Sequence, residues 1–562
     1  MYRKIYDLFK TNLIKISLGA AFVLLIFFLV SYPLFHKGFF PTFDDVQVVR
    51  IDQMARELKG GQFPVRYVDD FGNGGGYMFF QMYPPLAYYV GALENLAGVP
   101  LVRATKFVYI LGFALGALGM ILLLRLIADR ISALIGMTLF LTSPFLNYEV
   151  YTRGTLAEFV GFNLLPLVVW SFLRLKKSGG SIKDIIFPSV LYAAIIITHT
   201  FPALIVSPFL LLLLLIPPFN KKLNLYLTYS LLLGLGLSAF FWLPQLLEQS
   251  YTVYRQSYFA ATSYKTNFLN VFQLFQFEKI PWSFRPPIVG FHIFIGLIIS
   301  AIILLSFKIK QAFLKYFIIL LVFGLLSSLF LSLPISEGMW KSINFLQYLQ
   351  FPWRFIIFIT FYSIIIVSIS LSLIKRNWIK ISIGLLLLIL TLIFNFGYLR
   401  PSNYNFVANY YAEDPCSTTT WANEYLPIWT SKCLPKSKIK GDYHTYPLVA
   451  SVNNISKINN LKSAARNRNV AFIVDGNSSK ILIGKYYFPG WQVLVDGKAV
   501  KTYPYGQYGL ISFNVSSGKR IVNVILKDTP VRKIANLISG LSLIFLILVI
   551  LKLNFIKSES QT

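Results

Sequence analysis

Apolar runs long enough to cross about 30 Å of hydrocarbon, roughly 20 residues each, recur along the chain. They lie near 16–35, 104–124, 131–147, 159–174, 185–201, 203–217, 225–243, 288–306, 313–333, 354–374, 379–398 and 534–553. This pattern predicts a polytopic α-helical membrane protein of about twelve spans. Polar positions gather in two long intervening segments, 36–103 and 399–533. From about 468 the second changes to period-two alternation in AFIVDG, KILIGKYY, WQVLVDGKAV, GLISFNV and RIVNVILKD, separated by Gly, Pro, Asn and Asp. Val495-Asp496-Gly497-Lys498 has the chemistry of a two-residue hairpin. The expected organisation is a helical bundle over 1–398 that includes outer loop 36–103, a small β-sandwich-like domain over 399–533, and a final span and tail over 534–562.

Composition removes the soluble alternatives, because 562 residues that are 56% hydrophobic and 13% charged do not form an ordinary soluble domain. The net charge of +29, from 52 Lys+Arg and 23 Asp+Glu, would point to nucleic acid in a soluble chain. Here topology explains it. One alternating set of short connections and the termini holds about 20 cations, whereas connections 148–158, 199–203 and 334–353 hold about two. The positive-inside rule then puts both termini in the cytoplasm and 36–103 and 399–533 outside a cell membrane that the chain crosses many times. The first span reads as a retained anchor rather than a cleaved signal. Membrane lipids are expected partners and nucleic acid is not. Both cysteines, Cys416 and Cys433, fall in the outer segment, where a disulfide is expected; two cysteines exclude a disulfide-built scaffold and a Cys-rich metal site.

In so basic a chain the acids are informative, and segment 36–103 holds seven of the 23: Asp44, Asp45, Asp52, Glu57, Asp69, Asp70 and Glu94. Asp44 and Asp45 follow the first span and precede VQVVRIDQMAREL, whose apolar spacing suits a helix lying in the membrane interface. Simple N-capping would explain the pair. The alternative is chemical: a carboxylate at the bilayer surface can deprotonate an acceptor hydroxyl or hold a divalent cation, Mg or Mn, beside a lipid phosphate. Arg66, Asp69 and Asp70 are candidates for phosphate and hydroxyl recognition, with a local ion pair as the bland account. Gly72, Gly74, Gly75 and Gly76 read as a lid or as a turn needing positive φ.

Several stretches together resemble the 6-pyruvoyl-tetrahydropterin synthase-related membrane proteins, a prokaryotic group with GT-C glycosyltransferase-like architecture. They are FDDVQVVRIDQMARELKGGQFPVRYV and FFQMYPPLAYYVG in the first outer loop, YTRGTLAEF at 151–159, THTFPAL at 198–204, FLQYLQFPWRF at 345–355, TTWANEYLP at 419–427 and YYFPGWQVLVDGK at 486–498. The resemblance implies a GT-C-like bundle whose first outer loop supplies a catalytic acid, here Asp44 or Asp45. It also implies a polyprenyl-phosphate-linked sugar as donor and inverting transfer on the outer face to an envelope glycan, lipid or protein. Gln47 stands where a D-x-x-H pattern places histidine, and the chain's four histidines are scattered.

Other ionisable groups sit where spans meet the outer face. Arg153 and Glu158 occupy a short outer connection, where Arg153 suits a donor phosphate or pairs with Glu149 one helical turn back. His199 stands at the outer end of a span, and Arg354, in FPWR, suits an anionic lipid carrier or an interface anchor beside Trp353. The competing function is non-enzymatic: an envelope-assembly scaffold or a transporter of lipid-linked glycans. Few mid-span charges and no clear repeat favour the enzyme.

Overall fold

The computed structural model describes residues 2–253, 264–275, 287–401, 424–435, 448–452, 456–463 and 468–559. Among them nine helices are long and apolar enough to cross a membrane. The expected spans at 203–217 and 288–306 are the shorter apolar helices Thr200–Leu215 and Phe291–Ser306, and that at 185–201 is the 13-residue helix Ile186–Thr198. The helix that begins at Ile186 stops because His199 is extended (φ −161°, ψ 132°), and its ring accepts from Phe201 N–H at 3.3 Å to cap the helix that follows.

Two helices make the centre. Leu156–Ser178 and Leu101–Arg125 approach closely because Gly112, Gly116 and Gly119 leave room for Phe159, Asn163 and Leu167. Small residues at a helix contact are the usual means of close packing in lipid, where no hydrophobic gain separates one apolar surface from another. Helix Ile356–Leu373 is buried along nearly its whole length, whereas Pro530–Glu559 is exposed along most of its span, as a lipid-facing helix is.

The helix expected in the membrane interface runs over Gln47–Lys59, but it lies inside the protein with both its apolar and polar faces covered: Ile51 and Met54 are buried, and so are Arg50, Gln53 and Glu57. Ile51 packs on Gly91 of helix Leu86–Leu96.

The described residues of segment 399–533 form two antiparallel sheets. One orders Val449–Ser451, Ser479–Tyr486, Leu510–Val515 and Tyr503–Tyr505; the other orders Ser456–Ser463, Asn469–Gly476, Arg520–Leu526, Trp491–Val495 and Lys498–Val500. Strands thus begin about 20 residues before the alternation at 468. The hairpin forms as the sequence predicts: Val495 pairs with Lys498, and Asp496 and Gly497 take φ of 47° and 78°.

This β-domain is pinned to the first outer loop. The Tyr486 hydroxyl donates to Gly72 O at 2.7 Å and accepts from Leu434 N–H at 3.0 Å, while Tyr486 N–H donates to Gly75 O at 2.8 Å. Its ring lies so close to Gly75 that a Cβ there would come within 2.5 Å of Cζ. Lys485 pairs with Asp69 at 2.8 Å and donates to Gly74 O at 2.7 Å, both groups buried. Of the two readings of the glycine run, the turn needing positive φ is what forms, with Gly72, Gly74 and Gly76 at φ of 67°, 83° and 65°, and it makes a seat for Tyr486.

Candidate functional site

The site is built around a π-helical turn, Glu149–Arg153, that ends on Gly154 in the left-handed conformation (φ 77°) and carries the chain into helix Leu156–Ser178. π-turns widen a helix and often occur at functional positions. This one puts Arg153 between two acids: Nη1 lies 3.1 Å from Glu149 and 2.7 Å from Glu158. Arg354 reaches Glu158 from another helix, with Nε 2.9 Å from its Oε1, and His199 Nε2 lies 3.9 Å from Oε2. Arg153 from the same turn, and His199 and Arg354 from two distant stretches, thus converge on Glu158, the fourth predicted residue. Aromatic faces complete the enclosure, with Arg153 4.8 Å from the Trp353 ring and Arg354 4.9 Å from that of Phe351. Buried charges survive when paired in this way, and weakly hydrated guanidinium suits such a setting.

Asp44 joins the cluster through its backbone. Phe43 and Asp44 N–H donate to the carbonyls of Thr152 and Arg153 at 3.1 and 2.8 Å, laying the start of the outer loop along the π-turn. Neither aspartate caps the next helix: its N-cap is Val46 and has no side-chain cap. Among the described residues no side-chain hydrogen bond or ion pair engages Asp44 within 4.0 Å, yet it acts electrostatically on Arg153, Arg50, Tyr83 and Glu424. Asp45, exposed, is raised above its ordinary pKa by desolvation, against the lowering effect of its own backbone N–H, with Asp44 adding to the rise and Arg50 opposing it.

Two participants were missed by sequence reasoning. Arg50 projects from the buried loop helix into an aromatic box, 5.0 Å from the Phe79 ring and 4.5 Å from the Tyr83 ring, and donates to the Tyr88 hydroxyl at 3.2 Å. Its signal was faint: an arginine six residues after Asp44, on the helix face that also carries Gln47, Gln53 and Glu57. Glu424 comes from the outer segment, 4% exposed, beside Tyr425, whose ring meets those of Phe79 and Tyr83 edge-on. Burial pushes Glu424 up to about 7, against its own backbone N–H and Arg50, with Asp44 adding to the rise. Only its place in TTWANEYLP hinted at it.

Arg66, Asp69 and Asp70 are placed elsewhere. Arg66 donates to Phe240 O at 2.9 Å and Asn536 Oδ1 at 2.7 Å and lies 3.6 Å from Asp528, tying the loop to the last helix. Asp69 is held by Lys485, and Asp70 lies 3.6 Å from Arg56. Arg66 and Asp69 thus pair with residues far along the chain rather than with each other, and Asp70 pairs with Arg56. Cys433 is not free, and Cys416 lies outside the described residues. Among the described residues no three His, Cys, Asp or Glu side chains converge closely enough to hold a metal ion.

Residues 80–401, more than half of the chain, match the family model of the 6-pyruvoyl-tetrahydropterin synthase related domain, described as a membrane protein. The chain belongs to this family. Most of the cluster, including Arg153, Glu158, His199 and Arg354, lies within the family region, while Asp44, Arg50 and Glu424 flank it. Curated proteins provide no match. Among solved structures, the mycobacterial arabinofuranosyltransferase AftD is 16% identical with a TM-score of 0.47, over 69% of this chain and 27% of that one. ArnT from Cupriavidus metallidurans, bound to undecaprenyl phosphate, is 15% identical with a TM-score of 0.38, over 66% and 63%. The Archaeoglobus fulgidus oligosaccharyltransferase is 11% identical with a TM-score of 0.42, over 68% and 55%. The chain spans less than two thirds of the length of each of these neighbours.

Proposed function

We propose that this family member is a membrane glycosyltransferase that moves a sugar from a polyprenyl-phosphate carrier to a hydroxyl of an envelope glycan, lipid or protein on the outer face, with Asp44 as general base. Asp44 takes the acceptor proton as the acceptor oxygen bonds to the anomeric carbon; the bond from that carbon to the phosphate oxygen breaks, and the polyprenyl phosphate leaves with its electron pair. Arg153, Arg354 and Arg50 are the cations placed to offset the leaving phosphate, since guanidinium matches phosphate geometry. Inversion at the anomeric carbon follows from a single displacement. The observation that carries this reading is the Asp44 carboxylate itself, released from helix capping and hung by its backbone on the turn that bears Arg153.

The test incubates purified protein with a radiolabelled polyprenyl-phosphate sugar and membrane extract. Label transfer by wild type and its loss in Asp44→Asn support the reading. Transfer that survives Asp44→Asn removes Asp44 from the mechanism, and donor binding without transfer across a panel of sugars favours a carrier or scaffold.

A further inference from the structure

At the end of the bundle away from Asp44 lies a second arginine-bearing site. Helix Leu156–Ser178 starts at the Glu158 cluster, and Lys177 near its other end, about 28 Å away at 1.5 Å per residue, donates to Leu126 O. Beside Leu126, three helices enclose a cleft of about 320 Å³ whose walls include Gly19, Val23, Ile121, Leu134 and the guanidinium-bearing Arg125 and Arg130. Arginine supplies the charge of this cleft and aliphatic side chains supply most of its walls. Leu24, Leu25 and Leu118 are exposed on two of the same helices.

Both arginines are exposed, and the short connection between them is fixed. Only four residues separate them, and the connection is fixed by Asp129, which caps the following helix through Ile131 and Ser132 N–H at 3.0 and 3.2 Å and pairs with Lys380 at 2.7 Å. Gly19 makes the depth: a Cβ there would lie 3.0 Å from Arg130 Nη2, so any larger residue narrows the cleft at its guanidinium.

We infer that this cleft is a seat for one anionic glycerophospholipid, its phosphodiester against Arg125 and Arg130 and its acyl chains running down the apolar groove past Val23 and Ile121. Guanidinium recognises phosphate by paired hydrogen bonds, and basic clefts between spans at a membrane surface favour anionic headgroups. The shape selects a lipid over a free anion, because the aliphatic walls contribute only if chains accompany the phosphate. The site is independent of the transferase reading.

The experiment uses the full chain in nanodiscs of phosphatidylcholine doped with a photo-crosslinkable phosphatidylglycerol, followed by peptide mapping. Label is expected in peptides covering 19–23 and 121–134, about tenfold above a crosslinkable phosphatidylcholine control. It should fall to the control level in the double variant Arg125→Gln/Arg130→Gln, and also in Gly19→Leu, which keeps both arginines and closes the cleft. Competition by soluble glycerol phosphate as effective as that by phosphatidylglycerol assigns the site to free phosphate and overturns the lipid seat. Label spread evenly over the lipid-facing helices, or unchanged in Gly19→Leu, overturns it as well; wild-type mapping decides even if a variant fails to fold.

Discussion

Asp44 is positioned by Arg153 rather than by its own helix: its N–H donates to the Arg153 carbonyl at 2.8 Å, and the same arginine's side chain holds Glu149 and Glu158. One residue thereby links a surface carboxylate to a buried charge network. The loop that carries Asp44 is tied to the bundle by this bond, as the role proposed for Asp44 requires.

Asp44→Asn leaves that backbone bond intact and removes the carboxylate proposed as the base. Transfer is expected to fall by about 10²–10⁴-fold, the usual worth of a general base, with a smaller loss in Asp45→Asn. Initial rates of label transfer from a polyprenyl-phosphate sugar decide between the two aspartates.

Glu158→Ala leaves Arg153 and Arg354 facing each other in a buried site without their shared carboxylate. Removing one partner of a buried charge network costs about 3–5 kcal/mol. A marked drop in melting temperature in detergent is expected, larger than that of Glu158→Gln, which keeps an acceptor. Equal stability of the Ala variant and wild type would show that the arginines re-pair elsewhere.

Tyr486→Phe keeps the ring on the glycine seat but strips the hydroxyl bonds to Gly72 and Leu434. The expected cost is about 1–3 kcal/mol, because a buried N–H and carbonyl lose their partner. Gly75→Ala meets the ring directly and is expected to loosen the loop further. Limited proteolysis within 60–76 reads both.

Glu424 gives a pH signature. Its carboxyl is raised from its ordinary 4.5 to about 7, so between those values the native state holds a proton that the unfolded chain releases. Stability contributed by this group is therefore present below about 4.5 and is lost as pH rises towards 7. Melting temperature across pH 5–8 is expected to decline with an inflection near 7 in wild type and not in Glu424→Gln.

The hairpin at Val495–Lys498, the β-rich segment and the apolar runs were legible because each depends on neighbours a few residues away. The expected interface helix has the right bounds and the wrong surroundings: its amphipathic spacing fits a membrane surface and a protein interior equally well, and only the β-domain and helix Leu86–Leu96 decide between them. Arg66 and Asp69 looked like ligand-binding groups because their partners, Asp528 and Lys485, are more than 400 residues away in sequence.

By itself the sequence determined that this chain is a polytopic membrane protein with a β-rich domain, and that its carboxylates collect in segment 36–103. Hydrophobic length, period and charge count are local properties and need no fold to be read. Tertiary structure decided which charges meet. It assembled Glu158 with Arg153, Arg354 and His199, brought Arg50 and Glu424 towards Asp44, and assigned Asp69 to anchoring, because pairing and desolvation in a buried site depend on side chains that only the packed bundle brings together.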